Sequence, residues 1–266
     1  MKVLILCDFF EPVRIMGANR PTEFAKCFKK LGYEVDVVTL WNESTPHDDN
    51  FSFPSVTRID ISKDKRFRRF NRLNKFLRKV EGKAGGKPSA DANAAPVKKP
   101  SGFKTKIKNI ITYFGVRFEN KLRIIYGKAG SKAMYSVCKD HLDEYDFVYT
   151  TFGDFSPVLC GEIIKKKHPN VKVISEFRDA VYYKMFIKGH KRFYKYFIYK
   201  HCKLSDIIIF CSQGYLDDSI LPKNYGGKIA IIENGFMEYV ESPKDLGDKL
   251  SFLYSGSYFK ARHLYS

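Results

Sequence analysis

The sequence predicts an α/β fold, a Rossmann-like doubly wound parallel sheet with helices on both faces, and three observations predict it. The chain opens on a branched apolar run, Val3-Leu4-Ile5-Leu6-Cys7, then a glycine-bearing loop, a helical pattern and a second run, Tyr33–Thr39. That strand, loop, helix, strand order is a right-handed βαβ unit of a parallel sheet. The alternation of short β-branched runs with helical patterns returns after residue 140. Finally, 44% of the 266 residues are hydrophobic, enough to bury at least one full core.

Taken in order, Val3–Cys7 is too short to cross a membrane and branched enough to be a buried strand, which Asp8 ends. A loop holding Pro12 and Gly17 leads to Arg20-Pro21, with the proline expected in the first turn of a helix, where its missing N–H costs nothing. Phe24, Phe28 and Leu31 give that helix one apolar face, Gly32 is its expected C-cap, and Tyr33–Thr39 is the second strand. Phe147–Thr150, Val171–Ser175, Asp206–Phe210 and Lys228–Ile232 are further strands, with a helix expected over Pro157–His168. In such a sheet ligands bind at the carboxyl ends of the strands, so the residues just past those ends are the candidates for chemistry.

Charge is concentrated. Residues 63–128 hold twenty Lys or Arg against four Asp or Glu, which is +16 of the net +18. Within them Gly82–Gly102 is a Gly, Ala, Pro, Ser and Lys segment too poor in apolar residues to fold, and reads as a flexible linker. On one side of it Phe67, Phe70, Leu73, Phe76 and Leu77 recur at helical spacing among arginines and lysines; on the other, Ile107, Ile110, Ile111 and Phe114 do the same. Cationic amphipathic helices suit an anionic membrane surface, where each nearby basic residue adds on the order of 1 kcal/mol. The competing readings are a packed helix with a solvated charged face and a nucleic-acid patch; no DNA- or RNA-binding motif accompanies the charge, and no nucleic-acid partner is expected. The aromatic and basic stretch from Tyr182 to Lys200 reads either as an interfacial belt or as a core helix with snorkelling lysines.

No apolar run approaches the roughly 18 to 20 residues of a spanning helix, and Asp8 interrupts the amino-terminal run before it makes a signal peptide. A cytoplasmic protein, peripheral on the inner face of the cell membrane, is expected. Cys7, Cys27, Cys138, Cys160, Cys202 and Cys211 are scattered without a C-x-x-C pair and read as buried thiols. The six histidines fall at no metal-ligand spacing, so no metal is expected.

Several segments resemble the amino-terminal domain of family 4 glycosyltransferases of the GT-B architecture. They are Asp8-Phe9-Phe10-Glu11-Pro12, Gly17-Ala18-Asn19-Arg20 and Leu31-Gly32-Tyr33-Glu34-Val35 at the start. Glu176-Phe177-Arg178-Asp179-Ala180, Ile232-Glu233-Asn234-Gly235-Phe236 and Leu253-Tyr254-Ser255-Gly256-Ser257 follow in the family's order and spacing. The resemblance implies a Rossmann-like acceptor-side domain over 1–240, carrying the basic insertion at about 63–130. Residues 248–266 would be the first strand and loop of an incomplete donor-binding domain.

It further implies metal-independent, retaining transfer, without a cofactor, from a nucleotide-sugar to a lipid-linked or polysaccharide acceptor. The family's donor-gripping acidic pair has no counterpart in these residues, so this chain alone is expected to turn over slowly if at all. Gly17, with Ala18 beside it, is the candidate for close approach to the donor diphosphate; many members have two adjacent glycines there. Arg20 either faces the phosphates or a sugar acid group, or is an exposed arginine. Asp179 is the candidate to orient or partly deprotonate an acceptor hydroxyl, and Arg178 either pairs with Asp179 or grips an acceptor phosphate. The family continues this segment with tryptophan and proline, whereas Val181-Tyr182 follow here. Gly153 and Ser156 either line the acceptor pocket or cap the helix at Pro157. Asn234 and Gly235, both tolerant of positive φ, are the expected hinge.

Overall fold

The computed structural model describes residues 1–41, 53–62, 124–153, 155–178, 203–218 and 227–235, together with Asp64, Lys65, Phe67, Arg68, Arg72, His201, Leu221 and Tyr225. By contact, the chain divides into Met1–Asn234 and Gly235–Ser266. The expected strand near Leu250, the linker at 82–102, the cationic segments beyond residue 72 and the aromatic stretch 182–200 lie outside the described residues.

Seven strands form one parallel sheet: β1 (Lys2–Cys7), β2 (Glu34–Trp41), β3 (Val56–Asp60), β4 (Phe147–Phe152), β5 (Val173–Phe177), β6 (Ile207–Phe210) and β7 (Lys228–Ile231). Their spatial order is β3-β2-β1-β4-β5-β6-β7, and every neighbouring pair is parallel. Among the described residues the helices that cover the sheet include α1 (Met16–Lys30), α2 (residues 124–138), α3 (Phe155–Lys167) and the short α4 (Gln213–Asp218).

Alternation along β1 shows the double winding. Val3, Ile5 and Cys7 pack in one cluster with Ala25 of α1, whereas Leu4 and Leu6 pack with Met134 and Cys138 of α2 and Cys160 and Ile164 of α3. Two covered faces are why β1 is apolar throughout instead of alternating. Phe24 and Phe28 set α1 on the sheet, their rings 5.2 and 6.4 Å from that of Tyr149. On the other face Gly161 brings α3 close to β4: a Cβ there would stand 3.0 Å from the Thr150 methyl. Gly127 and Gly130 do the same for α2, where Cβ atoms would stand 2.5 Å from Phe155 Cβ and Ser156 Oγ.

The end of α1 follows from its sequence. Gly32 adopts φ +83°, Gly32 N–H donates to the Lys29 carbonyl and Tyr33 N–H to that of Phe28, and the Phe28 and Tyr33 rings pack 5.7 Å apart. This is a Schellman motif with its hydrophobic clasp.

Three expected element bounds are corrected. α1 begins at Met16, so Pro21 lies inside it and not in its first turn. α3 begins at Phe155, so Ser156 is a helical residue and not its cap. β5 runs two residues later than Val171–Ser175, which makes Glu176 a strand residue. β3, half exposed at the sheet edge, and α2, which starts inside the basic 63–130 stretch, have no counterpart in the sequence reading. Of the described cysteines, Cys7, Cys138 and Cys160 are buried as expected, but Cys27 is exposed.

Candidate functional site

The strand order reverses between β1 and β4. From β1 the chain crosses to α1 on one face, and from β4 to α3 on the other. At such a switch point the two connections diverge and leave a crevice at the carboxyl ends of the strands. Asp8 follows β1, Gly153 follows β4 and Arg178 follows β5, so three strand ends deliver a carboxylate, a glycine and a guanidinium to one place.

Arg178 is held there from several sides. Its Nη1 donates to the Gly17 carbonyl at 2.8 Å, and its own carbonyl accepts from Cys211 Sγ just past β6. The availability of the Gly17 carbonyl traces to Pro21. In a regular α-helix that oxygen would accept the N–H four residues on, and proline has none. The proline inside α1 thus exposes the acceptor on which Arg178 docks. Thr22 pins the same turn, donating to the Ala18 carbonyl at 2.9 Å and accepting from Glu11 N–H at 3.1 Å.

Gly153 lets the guanidinium come close. A Cβ there would stand 2.8 Å from Arg178 Nη2 and 3.4 Å from Asp8 Oδ2, so both side chains lie against this glycine. Asp8 is 4% exposed. Beside it Cys7 is fully enclosed, and burial pushes its thiol up to about 12, with the Thr39 hydrogen bond and the Arg178 charge pulling the other way. It is therefore packing and not a nucleophile.

Beneath α1 lies a second charge pair. Glu176 is wholly buried, and Arg20 Nε meets its Oε1 at 2.5 Å. The rest of the Arg20 fork reaches the segment after β7: Nη2 to the Ile232 carbonyl at 2.5 Å, and Nη1 to the Glu233 carbonyl at 3.0 Å and Asn234 Oδ1 at 2.9 Å. Tyr149 shares this pocket; burial, and then the Glu176 charge, raise its hydroxyl well above the usual phenol range.

The structure therefore brings Arg178, Gly153 and Gly17 together. Gly17 sits in the first turn of α1 with room for a Cβ, its nearest neighbour being Phe9 at 3.4 Å, so neither backbone nor packing demands glycine there. Ala18 is fully buried, and its N–H donates to the Ile15 carbonyl. Arg20 is not exposed: its side chain is 12% accessible and its guanidinium is engaged by Glu176 and residues 232–234. Ser156 is buried against Gly130. Asn234 and Gly235 do not use positive φ, which among the described residues belongs to Gly32 and Ser55. Asp179 lies outside the described residues. The sequence reading passed over Asp8 except as a strand end and a motif letter, Glu176 except as a motif letter, and the Pro21–Gly17–Arg178 chain entirely. An acid directly after a buried apolar run was the available signal for the first.

On the basic stretch, Phe67 packs on the core, its ring 5.3 Å from that of Tyr126, so this apolar position faces the domain. Among the described residues no helix is long and apolar enough to cross a membrane.

No protein-family model matches this chain, and no curated protein matches its sequence. Among solved structures it is similar to a sucrose-phosphate synthase from Thermosynechococcus elongatus, at 12% identity over 89% of this chain and 48% of that one, TM-score 0.46. It is similar to an α-glucosyltransferase in complex with UDP and a 13-mer DNA, at 12% identity over 88% of this chain and 41% of that one, TM-score 0.38. The amino-terminal domain of Candida albicans trehalose-6-phosphate phosphatase aligns at 11% identity over 80% of this chain and 41% of that one, TM-score 0.38. The chain spans less than half the length of each.

Proposed function

We propose that this chain is the acceptor-side half of a glycosyltransferase. It would work with a nucleotide-sugar donor on a lipid-linked or polysaccharide acceptor at the cytoplasmic face of an anionic membrane. The observation that carries the reading is the convergence of Gly17, Gly153 and Arg178 at the β1/β4 switch point, where a doubly wound sheet binds its ligand. The segments that resemble family 4 glycosyltransferases supply two of these three residues.

Each residue has a task in this reading. The first turn of α1 holds no acidic residue and its N-cap, Ile15, makes no side-chain cap, so its dipole is open to a donor diphosphate near Gly17. Arg178 and Gly153 take the acceptor, and Asp179, next in sequence, orients its hydroxyl. Arg20 anchors residues 232–234, which makes Asn234-Gly235 the point where the chain leaves a fixed segment. No metal and no cofactor take part, and the transfer is retaining. The basic insertion holds the protein to the lipid surface.

Saturation-transfer NMR with UDP-, GDP-, ADP- and dTDP-hexoses tests the donor side, and co-flotation with phosphatidylglycerol vesicles carrying a polyprenyl-diphosphate-linked sugar tests the acceptor side. Signals from at least one nucleotide-sugar, and flotation weakened in Arg178→Ala, are expected. A folded chain that engages neither sugar nucleotide nor glycolipid overturns the proposal.

A further inference from the structure

We propose that Cys138 and Cys160 are a reactive dithiol that closes into a disulfide between α2 and α3 when a small organic disulfide reaches it through a cavity at the amino ends of the strands. The pair lies at the opposite ends of the strands from the candidate site, and its chemistry does not depend on the glycosyltransferase reading.

Placement is the first argument. Spacing along the chain gives no sign of a pair, because Cys138 closes α2 and Cys160 lies inside α3, with β4 between them. Packing brings them together. Gly127 and Gly130 let α2 settle on α3, where Cβ atoms would stand 2.5 Å from Phe155 Cβ and Ser156 Oγ. Further along the same two helices, Cys138 and Cys160 share one core cluster and their thiols hydrogen-bond each other. A disulfide needs closely set backbones as well as neighbouring sulfurs, and the glycine contacts supply that approach.

Access is the second. A cavity of about 470 Å³ opens between the amino ends of β1, β2 and β3 and the end of α2, and Cys138 lines it together with Leu4, Val38, Val56 and Tyr145. Cys160 lies behind, fully enclosed. The hydrogen bond from Cys160 lowers the Cys138 thiol below its ordinary range against the effect of burial, whereas burial pushes Cys160 well above it. Exposure and acidity thus assign the same roles: Cys138 attacks and Cys160 resolves.

The exchange balances. Cys138 loses its proton and attacks one sulfur of the small disulfide, whose S–S bond breaks; a mixed disulfide forms, and the leaving thiolate takes up a proton. Cys160 then loses its proton and attacks Cys138 Sγ, and the second small thiol leaves carrying a proton. One protein dithiol is oxidised to a disulfide, and one small disulfide is reduced to two thiols.

The test treats the reduced full chain with hydroxyethyl disulfide, caps free thiols with iodoacetamide and maps tryptic peptides by mass spectrometry. Expected is a link between peptides 133–139 and 140–165, undone by dithiothreitol, with a melting temperature about 5–10 °C above that of the reduced chain. In Cys160→Ser, Cys138 should keep the hydroxyethylthio group for want of a resolving thiol; in Cys138→Ser, Cys160 should stay free. The link in the parent carries the proposal even if a variant folds poorly. It is overturned if both thiols stay free in the folded parent, if Cys138 links instead to another cysteine such as the exposed Cys27, if the link leaves the melt unchanged, or if a folded Cys160→Ser leaves Cys138 unmodified.

Discussion

Among the described residues, the two ends of the parallel strands use charged side chains in opposite ways. At the amino edge charges close on one another in half-exposed positions. Lys2 Nζ meets Glu144 at 2.7 Å and Asp36 at 3.5 Å, Tyr145 donates to Asp36 at 2.8 Å, and Lys165 meets Asp206 at 2.8 Å. Asp146 and Asp206 sit just before the starts of β4 and β6 and accept backbone N–H groups of Lys2 and Val173, and Asp36 is the third residue of β2. These are fasteners for strand ends. At the carboxyl edge the Asp8 and Glu176 carboxylates are buried, and the Arg178 and Arg20 guanidinium groups are backed by backbone carbonyls. Exposed pairs contribute little and are screened by salt, whereas buried ones are costly to disturb, so the two ends of the strands differ in what a broken pair costs.

The sharpest way to break this comparison is Arg20→Ala. It strands the fully buried Glu176 carboxylate and releases Ile232, Glu233 and Asn234 together, and a buried pair cut on one side costs about 3–5 kcal/mol. A large drop in the denaturation midpoint is expected, with Arg20→Lys recovering part of it. A melt unchanged by Arg20→Ala would mean the two edges are energetically alike.

Pro21→Ala separates binding from stability. The new N–H competes with Arg178 for the Gly17 carbonyl, so the helix gains a bond and the guanidinium loses its anchor. Equal or slightly higher stability is expected, with the Arg178-dependent flotation with glycolipid vesicles weakened by roughly three- to tenfold, the worth of one hydrogen bond. Unchanged flotation would show that Arg178 does not depend on α1.

The parallel sheet, the βαβ opening and the Gly32 terminator were legible because each rests on local patterning: buried branched runs, helical spacing, and a glycine where φ must be positive. Arg178 and Gly153 were legible as residues just past strand ends, and Gly17 only through the resemblance of its loop. What was hidden is what depends on partners far apart in the chain. Nothing near Arg20 announces Glu176, 156 residues away, and nothing near Pro21 shows that its missing N–H serves Arg178. β3 was hidden for another reason. Its residues are largely exposed at the sheet edge, so the run lacks the apolar density that marks β1.

Titration gives a milder contrast. Burial raises the Cys7 thiol from 9.0 to about 12 and the Tyr149 hydroxyl well above 10.0. Both groups ionise more readily in the unfolded chain. The stability they contribute is thus complete below about pH 9 and is lost as pH rises toward the folded values. Thermal melts between pH 8 and 11 should fall progressively above pH 9, and a flat profile would contradict the enclosure of these groups under α1.

The smallest effect belongs to the amino edge, and its smallness is the point. Glu144→Gln removes a carboxylate that Lys2 and His141 share in half-exposed surroundings. Lys2 keeps Asp36 within 3.5 Å, and water replaces what is lost. The melt should stay within experimental error of the parent, and raising the salt should leave the difference as small, because little of it was electrostatic in net effect. The vesicle flotation that depends on Arg178 should not change, since the partners of Glu144 among the described residues, Lys2 and His141, lie at the opposite ends of the strands. A shift in that flotation on Glu144→Gln would mean that the sheet transmits charge along β1, and that the division between a half-exposed edge and a buried one is not the organising feature of this fold.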